Sequence, residues 1–192
     1  MASIGHVLFG LAVARAHDNH AQLHTGPRAP RVRVVGAVAF AVLALLPDLD
    51  VVAFALGIPY GADFGHRGAA HSLLAGVVLG AAAALVLAHG SRAPLLPTAV
   101  AAIVAVVSHG LFDALTDGGL GIALLWPWST ERLFSPVQPI PVAPIGRAFL
   151  SARGLTVATT ELLWFLPFAL FALFGGRIRA APTSARAPSP GR

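Results

Sequence analysis

The sequence predicts an all-α fold, an integral membrane bundle of four to five helices with a Pro- and Gly-rich loop region between the last two. Two observations predict it. Of the 192 residues, 56% are hydrophobic and 11% charged, with a mean hydropathy of +0.77, whereas a soluble domain carries about a quarter charged residues. Too little polar side chain is present to clothe a water-facing surface, so lipid must cover much of it. The apolar residues are also gathered into five segments separated by short polar or Pro/Gly-rich stretches. Residues 1–176 are expected to form one membrane-embedded domain, and the Arg/Pro-rich tail 177–192 to be disordered.

The first segment, Ile4 to Ala14, is short and reads as a half-buried helix. No arginine precedes it, so it lacks the basic start of a secretory signal and is expected to be retained. The second segment, Val34 to Leu46, is expected to stop at Pro47-Asp48. The third runs from Ser72 to Ala88. The fourth, Leu95 to Leu115, contains His109 and Asp113. The fifth, Leu155 to Phe174, contains Glu161 and Pro167. A hydrocarbon core about 30 Å thick needs roughly 20 helical residues. The fourth and fifth segments meet that and the third nearly does. The first two fall short and are expected to tilt, thin the bilayer or end below its surface. Small residues mark the third segment, as in Gly76 and Gly80, a spacing that permits close helix contact but recurs by chance in such composition. Thr116 to Gly154 is loop-like, with Trp126 and Trp128 suited to a membrane interface.

If the five segments alternate in direction, the ionisable residues converge. His6 starts the first segment, Asp48 and Asp50 end the second, and His66 and His71 start the third. His109, Asp113 and Asp117 end the fourth, and Glu161 lies near the start of the fifth. All fall on one side of the membrane. The other side collects nine arginines (15, 28, 31, 33, 92, 177, 179, 186 and 192), against Arg67, Arg132, Arg147 and Arg153 beside the acids. The excess of basic residues marks the cytoplasmic face, so the cluster is expected towards the non-cytoplasmic side of a multi-pass plasma-membrane protein. Scattered arginines without lysine form no basic stripe, so no nucleic-acid partner is expected. His17, His20, His24 and His89 lie on the arginine-rich side and read as solvated loop residues.

Ionisable groups inside an apolar helix cost about 2.5–3.5 kcal/mol for Asp on insertion scales, and so tend to carry function. His109 and Asp113, four apart, share a helical face, with Asp117 a turn further on. Histidine with carboxylate and no cysteine anywhere suits a catalytic site for zinc, with manganese or iron as alternatives, better than a closed structural one. The number of donors allows one or two ions. Taken singly, the residues have plainer readings. His109 and Asp113 could be a buried hydrogen-bonded pair, Asp48 and Asp50 a helix end, Arg67 a headgroup contact and Glu161 a helix-packing bond. His66 and His71, five apart, work together only if His66 precedes the helix. Two other functions share the same residues: an ion site in a small transporter, which predicts polar residues continuing through the bilayer, and a non-catalytic scaffold.

The ordered set Gly5-His6, Leu46-Pro47-Asp48-Leu49-Asp50, Gly65-His66-Arg67-Gly68-Ala69-Ala70-His71-Ser72 and Ser108-His109 to Asp113 continues through Thr116-Asp117-Gly118-Gly119 to Trp126-Pro127-Trp128. Over residues 4–165 this resembles the YdjM-type family of inner-membrane proteins regarded as metal-dependent hydrolases. That family is distantly similar to zinc-dependent phospholipase C and the S1/P1 nucleases. Ala70 stands where the family often carries Thr. The resemblance implies a polar site of His6, Asp48, Asp50, His66, His71, His109 and Asp113, with Asp117 and Glu161 as further metal candidates. It also implies a phosphoester or lipid-linked small-molecule substrate. In that reading Asp48, His66, His109 and Asp113 act with the metal to activate water, and Arg67 stabilises developing phosphoryl charge.

Overall fold

The computed structural model describes residues 3–26, 28–144 and 146–175. The tail expected to be disordered, with its four arginines, lies outside the described residues. The described residues form six helices: α1 (Ser3–Thr25), α2 (Pro30–Leu45), α3 (Val52–Ala55), α4 (Leu73–Ser91), α5 (Leu95–Asp113) and α6 (Ala152–Phe174). No strand is formed among them, only two isolated bridges in the loop between α5 and α6, Thr116 with Ile140 and Ile122 with Leu133. Among the described residues four stretches are long and apolar enough to cross a membrane: Pro30–Ala55, Leu73–Ser91, Leu95–Asp113 and Ala152–Phe174.

Two expectations about length are corrected. The second apolar segment does not fall short. It begins at Pro30, and at Leu46–Val51 the α-helix tightens into a 3-10 helix that carries on into α3. Pro47 sits at the first positions of that 3-10 turn, where its missing N–H is no loss and its fixed φ suits the turn. The first segment, expected as a short half-buried helix, is not short either. It continues through the polar run after Ala14 to a length of 23 residues, about 34 Å at 1.5 Å per residue. Hydropathy alone misses it because α1 does not face lipid for most of its course. It packs on α2, α6 and α5, with Ala12, Val13, Ala14 and Ala21 buried.

The lipid-facing belt is made by the other helices, where Val34, Val38, Val42, Val78, Val86, Val100, Leu163 and Trp164 are exposed. The core joins Val13 and Ala14 of α1, Phe40 and Leu43 of α2, Ala84 of α4, and Ala102, Ala105 and Val106 of α5. The small residues at Gly76, Gly80, Ala84 and Ala88 form one buried face of α4, which packs on α5. A Cβ added at Gly80 would lie 2.5 Å from the Ile103 Cα, so the helices approach backbone to backbone there. The small-residue spacing is therefore a packing seam, as the GxxxG pattern allows.

The ends of the helices are fixed by side chains. Ser72 caps α4, accepting from the Ala75 amide at 3.1 Å, and Ser151 caps α6, accepting from Gly154 at 3.3 Å. At the other end of the bundle the Arg15 guanidinium donates to the Ala172 and Leu173 carbonyls at 2.8 and 3.4 Å. These are last-turn acceptors of α6 that would otherwise lack a partner in lipid.

Candidate metal centre

The alternation of helix direction brings the start of α1, the turn after α2, the chain before α4 and the last turns of α5 to one end of the bundle. His71 closes a 3-10 turn just ahead of α4, and His66 lies in the irregular chain before that turn. The two histidines can therefore meet despite a spacing that no single helix face would serve. His6, His71, His109 and Asp113 are at most 2% exposed, and the Asp48 side chain is 25% exposed. The cluster is buried with one carboxylate at its rim.

Its inner part is Asp48, His71, His109 and Asp113, whose donor atoms lie within 4.8 Å of one another. His109 Nδ1 donates to the Ala44 carbonyl at 2.7 Å. That bond fixes the tautomer and turns the Nε2 lone pair inward, where it faces Asp48 Oδ1 at 3.2 Å. An imidazole lone pair opposite a carboxylate oxygen, both acceptors, calls for a cation or a proton between them. The Nε2 of His109 is buried with no hydrogen-bond partner among the described residues. His71 Nε2 is likewise without one, and lies 3.6 Å from Asp48 Oδ1 and 3.8 Å from Asp113 Oδ2. The Asp50 carboxylate approaches His71 Nδ1 at 3.0 Å, out of line for a hydrogen bond, so the contact is ionic. His109 thus presents Nε2 to the centre while Nδ1 donates outward, the outer-shell arrangement that metal-bound histidines adopt, and His71 has the Asp50 carboxylate beside its Nδ1.

A second group overlaps the first: Asp48, Asp50, His66 and His71. Here His66 Nδ1 and Asp50 Oδ1 are 2.6 Å apart, and Asp50 Oδ2 accepts from the Arg67 amide at 3.1 Å. Asp48 and His71 belong to both groups.

The remaining sequence-derived candidates take other places. His6 stands outside both groups but touches the inner one. Its ring stacks on His109 with centroids 3.7 Å apart, and its Nε2 lies 3.3 Å from Asp113 Oδ1. Asp117 is exposed and accepts from the Val142 amide at 2.7 Å, so it fastens the loop rather than joining the cluster. Glu161 is buried in α6 and accepts from the Gly5 amide at 3.0 Å. It serves the start of α1, where helical amides lack partners. Arg67 is buried, not a headgroup contact at the surface. Its Nε lies 3.2 Å from Asp113 Oδ2, and it donates to the Gly118 carbonyl at 2.8 Å. Its backbone adopts φ = 63°, a left-handed conformation that costs a non-glycine residue energy and gathers at functional sites.

Three supports carried no signal in the sequence. Arg132 donates to the carbonyls of His66, Tyr60 and Ala62 at 3.0–3.1 Å, gathering the chain that holds His66. The Tyr60 ring packs edge-on to His66 at 5.4 Å. Gly110 allows α5 to lie against His71, whose carbonyl would be 2.3 Å from an added Cβ.

Charge in the cluster is strongly coupled. Burial alone would strip His71 of its proton, but the carboxylates of Asp48 and Asp50, with the charge of Asp113, outweigh it and raise its pKa to about 9. In the metal-free protein His71 therefore keeps its proton up to about pH 9, and a cation must displace it. Metal uptake should weaken as the pH falls, by about tenfold per pH unit for the one proton displaced. Zinc titrations at pH 6.5, 7.5 and 8.5 with proton release recorded check this; a pH-independent affinity would contradict it.

Comparisons with known proteins place the chain among inner membrane proteins. A family described as YdjM inner membrane protein matches residues 1–182. The chain is 40% identical over 136 residues to the inner membrane protein YbcI of Escherichia coli (strain K12), covering 70% of this chain and 76% of that protein. No solved structure matches.

Proposed function

Because this chain belongs to the YdjM family of inner membrane proteins, we propose that its buried His/Asp cluster makes it a membrane-embedded, metal-dependent hydrolase. The observation that carries this reading is the inward-facing pair of imidazole nitrogens, His71 Nε2 and His109 Nε2, set beside the Asp48 and Asp113 carboxylates. Two nitrogens and two carboxylates without sulfur fit zinc first, then manganese or iron(II). Bound there, such a cation supplies a water acidified towards neutral pH. Asp48, His71, His109 and Asp113 hold it.

The other residues orient and open the site. His6 stacks under His109 and steadies Asp113. Arg67 is committed to Asp113 and Gly118, so we assign it a positioning role in place of direct contact with phosphoryl charge. Asp48 forms the rim that a substrate reaches, with His66 just inside it. His66, held by Asp50, is placed to exchange a proton with a leaving oxygen. At this end of the bundle, in the chain that follows Asp48 and in the loop after α5, Leu49, Leu56, Phe64, Leu120 and Trp128 are exposed. An apolar surround favours an amphiphilic or lipid-linked phosphoester over a freely soluble one.

The described arginines at the far end of the bundle are Arg15, Arg28, Arg31, Arg33 and Arg92. By the positive-inside rule that end is cytoplasmic and the site faces outward. A reporter fused after Arg192 that worked only outside the cytoplasm would reverse this orientation.

An ion-transport reading needs polar groups continuing across the bilayer. Between the cluster and the polar group of His17, Asp18 and Thr98 at the far end, the packed core is Val13, Phe40, Leu43, Ala84, Ala102 and Val106, and this apolar gap disfavours it. The test is a panel of lipid and soluble phosphoesters offered to zinc-loaded protein in nanodiscs. Turnover of a lipid phosphoester that chelator abolishes is expected. A stoichiometrically metal-loaded protein inert towards every phosphoester would remove the hydrolase reading.

A further inference from the structure

At the end of the bundle away from the cluster, a cleft of about 260 Å³ opens where α2 faces α4. Its floor is polar and satisfied: Thr98 Oγ1 donates to the Pro94 carbonyl at 2.8 Å and accepts from His17 Nε2 at 3.1 Å. Its walls change character along α2. Arg28 and Arg31 line it at the end of the bundle, and Val32, Val35 and Ala39 continue it towards the membrane interior, facing Leu87 of α4. Among the described residues no acidic side chain lines it. Two of its lining residues are glycines, Gly36 and Gly90, and a Cβ added at either would meet nothing within 4 Å. The absent side chains keep the groove open.

We propose that this cleft binds an anionic phospholipid, its phosphate on Arg28 and Arg31 and one acyl chain along Val32, Val35, Ala39 and Leu87. Charge complementarity selects the head, since the two arginines share the described lining with no carboxylate. The apolar wall selects a lipid over a free phosphate, because the stretch Pro30–Ala55 that α2 opens and the helix α4 are both apolar enough to cross the membrane and an ion on the arginines would leave that wall uncovered. A second cleft of about 300 Å³ between α1, α2 and α6 also carries two arginines, Arg15 and Arg33. There Asp18 shares the lining and Arg15 is committed to the α6 carbonyls, so it is the poorer match for an anion. The proposal is independent of the metal cluster, which lies at the opposite end of the same helices.

Native mass spectrometry of the full chain, titrated with phosphatidylglycerol or phosphatidylcholine in detergent, tests it. The wild type should retain one phosphatidylglycerol and prefer it over phosphatidylcholine. The double variant R28A/R31A should bind it about 30-fold more weakly, the equivalent of ~1 kcal/mol per arginine near an anionic surface. Gly36→Phe, which fills the groove and leaves both arginines, should lose the bound lipid. Equal binding of the two lipids by the wild type would overturn the proposal without recourse to any variant. Retention of lipid by Gly36→Phe would overturn the groove, and displacement of lipid by millimolar inorganic phosphate would overturn the acyl contribution.

Discussion

Asp48→Ala is expected to fold and to bind zinc more than about 100-fold more weakly than the wild type. Asp48 belongs to both donor groups and faces His109 Nε2 and His71 Nε2 at 3.2 and 3.6 Å. Loss of even an outer partner of a metal ligand costs about 10–100-fold in affinity, so loss of a shared ligand should cost more. Its rim position, with a quarter of the side chain exposed, spares the fold a large cavity. Asp50→Asn should fall in between, at about 10–100-fold, because Asp50 lies against His66 and His71 without entering the inner group. Asp117→Asn should leave affinity unchanged, since Asp117 holds the Val142 amide on the exposed loop. Calorimetric zinc titrations of the three variants measure the series. Equal affinities for Asp48→Ala and Asp117→Asn would remove the assignment.

Arg67→Ala is expected to destabilise the fold by about 3–5 kcal/mol, the usual cost of breaking a buried ion pair from one side. Arg67 Nε is 3.2 Å from Asp113 Oδ2, and both side chains are at most 3% exposed. The substitution also removes the donor to the Gly118 carbonyl. A bound cation would meet part of the negative charge left on Asp113, so zinc should raise the unfolding temperature of this variant more than that of the wild type. Thermal unfolding in detergent with and without zinc reads both effects. A variant as stable as the wild type would mean that the pair does not hold the site together.

Much of the site was legible because a membrane supplies one coordinate, depth, that a soluble chain lacks. Alternating segments placed His6, Asp48, His71, His109 and Asp113 on one side, and the structure brings them together. Lateral position was not legible. Asp117 falls at the same end as the cluster, yet the loop turns it outward to Val142. Glu161 lies at the same end too, but on α6 its neighbour is the first turn of α1. The length of α1 was also hidden. A helix enclosed by protein needs no lipid-facing apolar stripe, so the polar residues after Ala14 masked its continuation. Pro47 read as a stop because a proline ends an α-helix, while here it opens a 3-10 turn. Arg132 gave no signal, because its role depends on three carbonyls of a distant loop.

Elemental analysis of the wild-type chain, purified without chelator and desalted, tests the central claim most directly. A buried group of Asp48, His71, His109 and Asp113 built to hold a cation predicts stoichiometric divalent transition metal that chelator removes and zinc restores. Folded, monodisperse protein that carries no such metal and takes up none on adding zinc would contradict it.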